Sequence, residues 1–333
     1  MGEYGKLEFY VTAIVLAEQL IYLFGGLSLN ATNQVVIAPS VHALNLNSLS
    51  WNIPNIEGIP PNRRRNIRSV FDNVGNMYIF GGLTGPYFDL PKSMTIDEMV
   101  ILNPVKLSWI INAIKSRHLY SATLLTNGII IYIGGFEVEI ADIKQIILYD
   151  TNSLTWSERI ATTSSLIENR SGHTAVLASN NKIIIYGGSK HLVGITQTAQ
   201  VVPDLFVLNM ETDQFEFIVP VTSNIGKDPP SLSYHTASLP NSAPLPLANS
   251  EIYIMDIRNY TWVNSFEFIT KSVTSTPTAS LIVVNSNSEL AIDIFSNINQ
   301  IALARSLTDQ QGYRVVGNNL CIEQIALEGT VAN

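Results

Sequence analysis

Apolar and polar residues alternate along this 333-residue chain in short blocks, and each apolar run is closed by a polar turn. The segment "NKIIIYGGSK" (181–190) shows the pattern, because three isoleucines and a tyrosine end abruptly on two glycines. Short runs of β-branched and aromatic residues between turn residues predict β-strands. No run of 18 or more apolar residues occurs, so the sequence predicts no membrane-spanning helix.

A diglycine after an apolar run recurs four times at nearly constant spacing. The first glycines stand at positions 25, 81, 134 and 187, which are 56, 53 and 53 residues apart. Each copy continues into a phrase that ends on a large aromatic residue, as in "LYDTNSLTW" (148–156). The repeat predicts four short strands per unit, with the diglycine closing the second strand and the aromatic residue opening the fourth. The structural positions are Gly25, Gly26, Gly81, Gly82, Gly134, Gly135, Gly187, Gly188, Trp51, Trp109, Trp156 and Trp262, with Phe215 in place of tryptophan in the fourth unit.

Both repeated features have a physical explanation in sheets that pack face to face. Glycine has no Cβ and tolerates a positive φ, so it permits close approach of two backbones where the chain leaves a strand. A tryptophan or phenylalanine supplies the large apolar surface that fills the space between neighbouring sheets. We therefore expect the glycines at the contacts between units and the aromatic residues inside those contacts.

A diglycine and a following aromatic residue at a period of about 50 residues resemble the kelch repeat. The resemblance extends to the central propeller domain of galactose oxidase, and it implies an all-β, kelch-type β-propeller. We expect about five to six four-stranded blades, with one blade incomplete. The propeller is assigned to residues 1–270, with units at about 7–57, 62–113, 115–162, 168–219 and 231–268.

The fifth unit departs from the pattern. "SYHTAS" (233–238) matches the first strand of the fourth unit, "SGHTAV" (171–176), but no diglycine strand follows it. Its place is taken by "LPNSAPLPLANS" (239–250), whose three prolines are incompatible with a central strand. We interpret this as a deletion, an alternative splice form or a gene-model error. The tail, 271–333, carries no further diglycine and is assigned to part of a sixth blade.

The amino-acid composition argues against several classes of partner and cofactor. A formal net charge of −8 argues against nucleic acid as a partner. The resemblance to galactose oxidase raises copper radical chemistry, which needs a cysteine cross-linked to a tyrosine. The single cysteine, Cys321, lies in the tail, and the five histidines show no metal-ligand spacing. We expect no cofactor, no metal and no catalytic residue. A metal-dependent enzyme of the oxidase or specifier type is the alternative.

Three arginines occupy equal positions in consecutive units. Arg64, Arg117 and Arg170 each precede the first glycine of their unit by 17 residues (81−64, 134−117 and 187−170). The kelch resemblance implies that an arginine there lines the mouth of the central channel and contacts acidic peptide segments through its planar fork. The alternative is that each arginine joins neighbouring blades through backbone carbonyls or acidic side chains. Arg65 adds positive charge beside Arg64.

These observations favour a non-enzymatic interaction module that binds a protein partner, with an acidic peptide segment as one candidate ligand. The candidate contact residues are Arg64, Arg65, Arg117 and Arg170, together with Tyr87 and Phe88 in a long loop. His173 and His235 share a repeat position with Tyr120 and Ile67, which favours packing over metal binding. The sequence does not establish the compartment. Cytoplasmic location is slightly favoured, and glycosylation at Asn30, Asn169 or Asn259 would instead indicate a fragment of a surface or secreted protein.

Overall fold

The computed structural model describes strands and turns in most of the repeat region and two strands of the tail. No helix occurs among the described residues. They are residues 7–8, 12–16, 20–29, 35–37, 41–45, 47–48, 50–72, 74–85, 94–103, 106, 108–113, 116–178, 181–191, 198–211, 214–224, 229–233, 235, 237–238, 252–263, 281–285 and 328–329.

The described strands are short, as the blocks of apolar residues predict. In chain order the first fifteen are β1 (Leu7–Glu8), β2 (Thr12–Leu16), β3 (Leu20–Phe24), β4 (Leu27–Leu29), β5 (Val35–Ile37), β6 (His42–Asn45), β7 (Ser50–Asn52), β8 (Ser69–Phe71), β9 (Met77–Phe80), β10 (Glu98–Asn103), β11 (Ser108–Ala113), β12 (Ser121–Leu124), β13 (Ile129–Ile133), β14 (Gln145–Asp150) and β15 (Thr155–Ile160). The others are β16 (Thr162–Thr163), β17 (Thr174–Ala178), β18 (Lys182–Tyr186), β19 (Ser189–His191), β20 (Thr198–Gln200), β21 (Leu205–Asn209), β22 (Glu216–Ile218), β23 (Ser223–Asn224), β24 (Ala237–Ser238), β25 (Ile252–Asp256), β26 (Thr261–Val263), β27 (Leu281–Asn285) and β28 (Glu328–Gly329).

Each of the first four units contributes four antiparallel strands whose spatial order follows the chain order, and in the fourth sheet an additional strand, β16, pairs parallel with β22. The sheets are β2-β3-β6-β7 (sheet 1), β8-β9-β10-β11 (sheet 2), β12-β13-β14-β15 (sheet 3) and β17-β18-β21-β22 (sheet 4). The first strands of successive sheets lie next to one another, so sheets 2 to 4 converge at β8, β12 and β17. This is the blade arrangement of a β-propeller.

The diglycines join each sheet to the next one. The second glycine donates its N–H to a backbone carbonyl that stands at the arginine position of the following unit. The four bonds are Gly26–Arg64 (2.9 Å), Gly82–Arg117 (2.9 Å), Gly135–Arg170 (2.9 Å) and Gly188–Leu232 (2.7 Å). The first glycine leaves room for the same carbonyl, since a Cβ on Gly81 would lie 2.0 Å from the Arg117 oxygen. All eight repeat glycines have a positive φ, as expected for backbones in such close approach.

Aromatic residues fill the spaces between sheets, as predicted. Trp109 packs on Phe24 of the preceding unit with ring centroids 5.5 Å apart, and Trp156 packs on Phe80 at 5.1 Å. Trp262 meets Tyr186 in the same way at 5.5 Å. Trp51 is different, because it belongs to the first unit and is 39% exposed. In the fourth unit Phe215 is partly buried against the same cluster as the fully buried Phe217.

The fifth sheet has the order β23-β26-β25-β27-β24. Counted from β24, the first strand of the fifth unit, the second position is occupied by β27 (Leu281–Asn285) of the tail, which pairs antiparallel with both β24 and β25. A tail segment thus takes the place of the diglycine strand that the fifth unit lacks, and the prediction that this segment belongs to a sixth blade is wrong for Leu281–Asn285. A further tail strand, β28, pairs with β1. A partial sixth blade in the remaining tail residues stays a prediction, since those residues lie outside the described part of the chain.

Candidate functional site at the loop face

The two ends of the sheets differ in the length of their connections. We call the end that carries the loops between second and third strands the loop face. In units 2 to 4 these loops cover residues 81–97, 134–144 and 187–204, whereas the turns between first and second strands at the opposite end cover only 72–76, 125–128 and 179–181. Long loops on a rigid scaffold are the usual location of binding residues, so the loop face is the candidate site.

Arg64, Arg117 and Arg170 lie beneath this face, and each side chain is fully buried at 0% exposure. The guanidinium of each arginine donates a hydrogen bond to the carbonyl of the first glycine of its own unit. In each unit, the arginine and the glycine that stands 17 residues after it are therefore in direct contact. The three bonds are Arg64–Gly81 (3.0 Å), Arg117–Gly134 (3.3 Å) and Arg170–Gly187 (2.9 Å).

The remaining donors of the three guanidinium groups also have internal acceptors. Arg64 pairs with Glu98 at 2.5 Å and Arg117 pairs with Glu137 at 2.6 Å. Arg170 instead donates to the carbonyls of Val202 (3.1 Å) and Pro203 (2.7 Å). Burial lowers the pKa of Arg64, and it lowers the pKa of Arg170 to about 10. Arg170 therefore stays charged at neutral pH, and its guanidinium is surrounded by carbonyl acceptors, whereas the charge of Arg64 is opposed by the Glu98 carboxylate.

The acceptors are backbone carbonyls and acidic side chains, as in the structural alternative, but those named above belong to the arginine's own unit. The contact with the preceding unit is made by the main-chain carbonyl of each arginine, which accepts the N–H of a repeat glycine. Direct contact of the three guanidinium groups with a partner stays a prediction, and it requires them to exchange an internal acceptor. Arg65 is also buried, at 4% exposure, and its Nε lies 3.3 Å from the Gly85 carbonyl. Tyr87 and Phe88 lie outside the described residues.

The loop face presents exposed apolar side chains that follow no repeat pattern in the sequence. Three lie in the loops between second and third strands of consecutive units. A fourth lies in the connection from unit 3 to unit 4, two residues before Glu168, whose carboxylate accepts the N–H of Val202. These loop-face apolar residues are Met94 (68% exposed), Val138 (91%), Val202 (55%) and Leu166 (77%).

Val138 has the most defined setting of the four. It stands at the tip of a tight turn in which the Glu137 N–H donates to the Glu139 carbonyl at 2.8 Å, and Phe136 bridges Ile140 below it. The segment Glu137-Val138-Glu139 thus projects one apolar side chain between two acidic residues. The sequence signal was available, because "FEVEIAD" (136–142) places an isolated valine between glutamates in a loop.

Acidic residues accompany the apolar ones at the rim of the loop face. Glu98 and Glu137 are partly exposed while they cover the buried arginines. Glu168 pairs with Lys190, and this contact together with the N–H of Val202 lowers the pKa of the Glu168 carboxyl. The surface at these positions is therefore made of apolar side chains, carboxylates and the Lys190 ammonium, and the guanidinium groups of the three arginines lie below it.

His173 and His235 lie between sheets and have a packing role. His173 Nε2 is 2.9 Å from the Ser121 hydroxyl and His235 Nε2 is 3.0 Å from the Thr174 hydroxyl, in each case across to the preceding unit. Burial lowers the pKa of His173 well below its ordinary value and that of His235 to about 3. Both rings are therefore neutral at pH 7. Among the described residues, no three His, Cys, Asp or Glu side chains are grouped so that they could hold a metal ion.

A groove of about 570 Å³ lies at the opposite end, between sheets 2 and 3. Its polar wall is internally bonded, since Asp72 accepts from the Asn76 amide (2.7 Å) and the Tyr78 hydroxyl (3.0 Å), and Asn103 donates to Asn76 (2.8 Å). The groups that line this groove are thus engaged with one another, and the loop face remains the stronger candidate.

Fold, repeat contacts and diglycine geometry together define a kelch-type β-propeller. A family model described as the KLHDC2/KLHL20/DRC7 kelch-repeats domain matches residues 11–245, so the chain belongs to this kelch-repeat family. A solved structure described as the structure of YjhT is similar over 93% of this chain and 84% of that one, with a TM-score of 0.55 and 12% identity, which supports the fold alone. Comparison with curated protein sequences gave no match. In the part of the chain that the structure describes, no helix is long and apolar enough to span a membrane.

Proposed function

We propose that this kelch propeller is a non-enzymatic module that binds a protein partner through its loop face. The observation that carries the proposal is the set of loop-face apolar residues, each more than half exposed on loops at the same end of successive sheets. Isolated exposed apolar side chains are common, but a recurring set on long loops is typical of an interaction surface.

The finer proposal, an acidic peptide segment as the ligand, depends on the buried arginines. An acidic segment would have to displace Glu98 from Arg64 or Glu137 from Arg117, because both carboxylates now hold the guanidinium groups. A segment that combines apolar and basic side chains needs no such exchange, since it meets the exposed rim directly. The sign of the partner's charge therefore distinguishes binding at the rim from binding at the arginines.

The test is a pull-down with the full chain and two matched variants. Leu166→Asp places a charge on the loop face, and Val74→Asp places one in a turn at the opposite end. The two residues are equally exposed, at 77%. We expect both variants to unfold at the wild-type temperature, because neither side chain is buried. A partner retained by wild type and by Val74→Asp but lost with Leu166→Asp supports the loop face. A partner retained by all three, or lost with Val74→Asp alone, contradicts it.

Metal analysis of the same purified protein addresses the enzyme alternative. A metal-dependent enzyme of the oxidase or specifier type requires a bound transition metal at one equivalent per chain. Stoichiometric metal would favour that alternative over a binding module. A chain without metal that loses its partner with Leu166→Asp would support the proposal as stated.

A further inference from the structure

The fifth sheet contains a strand position that its own unit does not fill. In units 2 to 4 the second strand follows the first after a short turn and ends on the diglycine. In the fifth unit β24 is followed by the proline-containing segment 239–250, and the next described strand, β25, forms the third position of the sheet. The space between β24 and β25 is occupied by β27, which is reached only after the fourth strand.

The pairing of β27 is extensive on one side and shorter on the other. All five residues pair with β25, from Leu281 opposite Asp256 to Asn285 opposite Ile252. On the other side Val283 and Val284 pair with the two residues of β24. Both pairings are antiparallel, which is the direction that a second strand has in the other four sheets. The sequence "LIVVN" is also of the same type as the second strand "KIIIY" of unit 4.

No tight turn fixes this strand to its neighbours. Residues 264–280 separate β27 from β26 in the chain, in contrast to the turns of three to six residues inside the other units. The strand β27 is therefore held in place by its main-chain hydrogen bonds to β25 and β24, and this pairing sets its register. The hydrogen bond between sheets 4 and 5 does not involve β27, because the Gly188 N–H donates to the carbonyl of Leu232, which precedes β24 in the chain.

From this arrangement we infer that the slot between β24 and β25 is a binding site for an extended β-strand, and that Leu281–Asn285 is its tethered ligand. The ligand class is a short β-branched apolar peptide that runs antiparallel to β25 and adds a strand through main-chain hydrogen bonds. The tether keeps the local concentration of the strand high, on the order of millimolar, so the chain's own segment competes with any strand offered from outside.

The first experiment is a disulfide test of the register in the full chain. Ile254→Cys and Val283→Cys are combined in a Cys321→Ser background, because directly opposed residues of an antiparallel pair lie within disulfide range. The control combines Val263→Cys with Val283→Cys, since Val263 lies opposite Ile254 on the far side of β25. We expect an intramolecular disulfide in the first variant and none in the control. A free thiol pair after oxidation, equal cross-linking in both variants, or a disulfide-linked dimer would overturn the assignment.

The second experiment offers the strand in trans. Val283→Pro removes a ladder N–H and prevents the tethered strand from pairing at its centre. A fluorescent peptide of residues 278–288 is then titrated into wild type and into the Val283→Pro chain, and the same peptide carrying the proline serves as the control. We expect the variant to bind the peptide at least about tenfold more tightly than wild type, because the competing tether is lost. Equal affinity for both chains, or equal binding of the proline peptide, would overturn the inference. If the variant fails to fold, the disulfide test decides alone.

Discussion

Replacement of Gly81 by alanine tests the physical explanation of the repeat most directly. Gly81 has a φ of +58°, and a Cβ there would lie 2.0 Å from the carbonyl oxygen of Arg117 in the next unit. That oxygen also accepts the N–H of Gly82 at 2.9 Å, so it cannot move away without breaking the bond between the two sheets. One methyl group therefore perturbs both the backbone conformation and the contact between units.

The expected loss of unfolding free energy has two parts. A residue with a Cβ in the left-handed region costs about 1–2 kcal/mol. Separation of the two backbones strands a buried carbonyl and an N–H, which costs about 1–3 kcal/mol more. We therefore expect Gly81→Ala to lower the free energy of unfolding by roughly 2–5 kcal/mol.

Gly58 provides the matched control. It also has a positive φ, +96°, but the nearest atom to a Cβ there is the Trp109 carbonyl oxygen at 4.0 Å. Gly58→Ala should therefore show only the conformational cost of about 1–2 kcal/mol. Urea denaturation of wild type and both variants, followed by circular dichroism, measures the two losses. If Gly81→Ala is no more destabilising than Gly58→Ala, close approach of the sheets is not the reason for the diglycine.

Three further predictions concern a buried arginine, a buried histidine and the aromatic packing between sheets. Arg170→Ala should lower the unfolding free energy by about 1–3 kcal/mol, because it leaves the buried Gly187 carbonyl without its arginine donor, whereas alanine at the exposed Arg63 should change it by less than about 0.5 kcal/mol in the same urea assay. The pKa of His235 is depressed to about 3, so the unfolded state binds more protons below pH 6.5 and stability should fall as the pH drops from 6.5 towards 3. His235→Gln should reduce that slope by about 1.4 kcal/mol per pH unit, and an unchanged slope between pH 6 and 4.5 would show that this histidine is not buried and neutral. Trp156→Ala should cost about 3–5 kcal/mol by thermal or urea unfolding, while Trp51→Ala, at a 39% exposed position, should cost clearly less.

Most of the fold was predictable from the sequence because the repeat is local and periodic. The diglycines mark where second strands end, and short β-branched runs mark the strands themselves, so the four-stranded units could be placed without any knowledge of long-range contacts. The loop-face apolar residues were harder to recognise. A single valine such as Val138 in a loop has no periodicity, and its meaning depends on where the loops of other units lie.

The equal spacing of Arg64, Arg117 and Arg170 is visible in the sequence, but the sequence does not show whether their side chains point towards a ligand or into their own unit. Spacing alone cannot distinguish a guanidinium that faces a ligand from one that donates to the glycine carbonyl of its own unit. That choice depends on acceptors far along the chain, such as Glu98 for Arg64 and the Val202 carbonyl for Arg170. A charged group can be buried at low cost only where such acceptors converge, and that convergence is a property of the folded chain.

The sequence by itself determined the repeat unit, the strand pattern and the family, because each is encoded within about 50 consecutive residues. It also showed that the fifth unit lacks its second strand. Only the tertiary structure decided what fills that position, since Leu281–Asn285 is separated from its partner β25 by the fourth strand and the intervening chain. Strand pairing between distant segments is selected by the open hydrogen-bonding edges and the register of the folded sheet, and no local pattern contains that information.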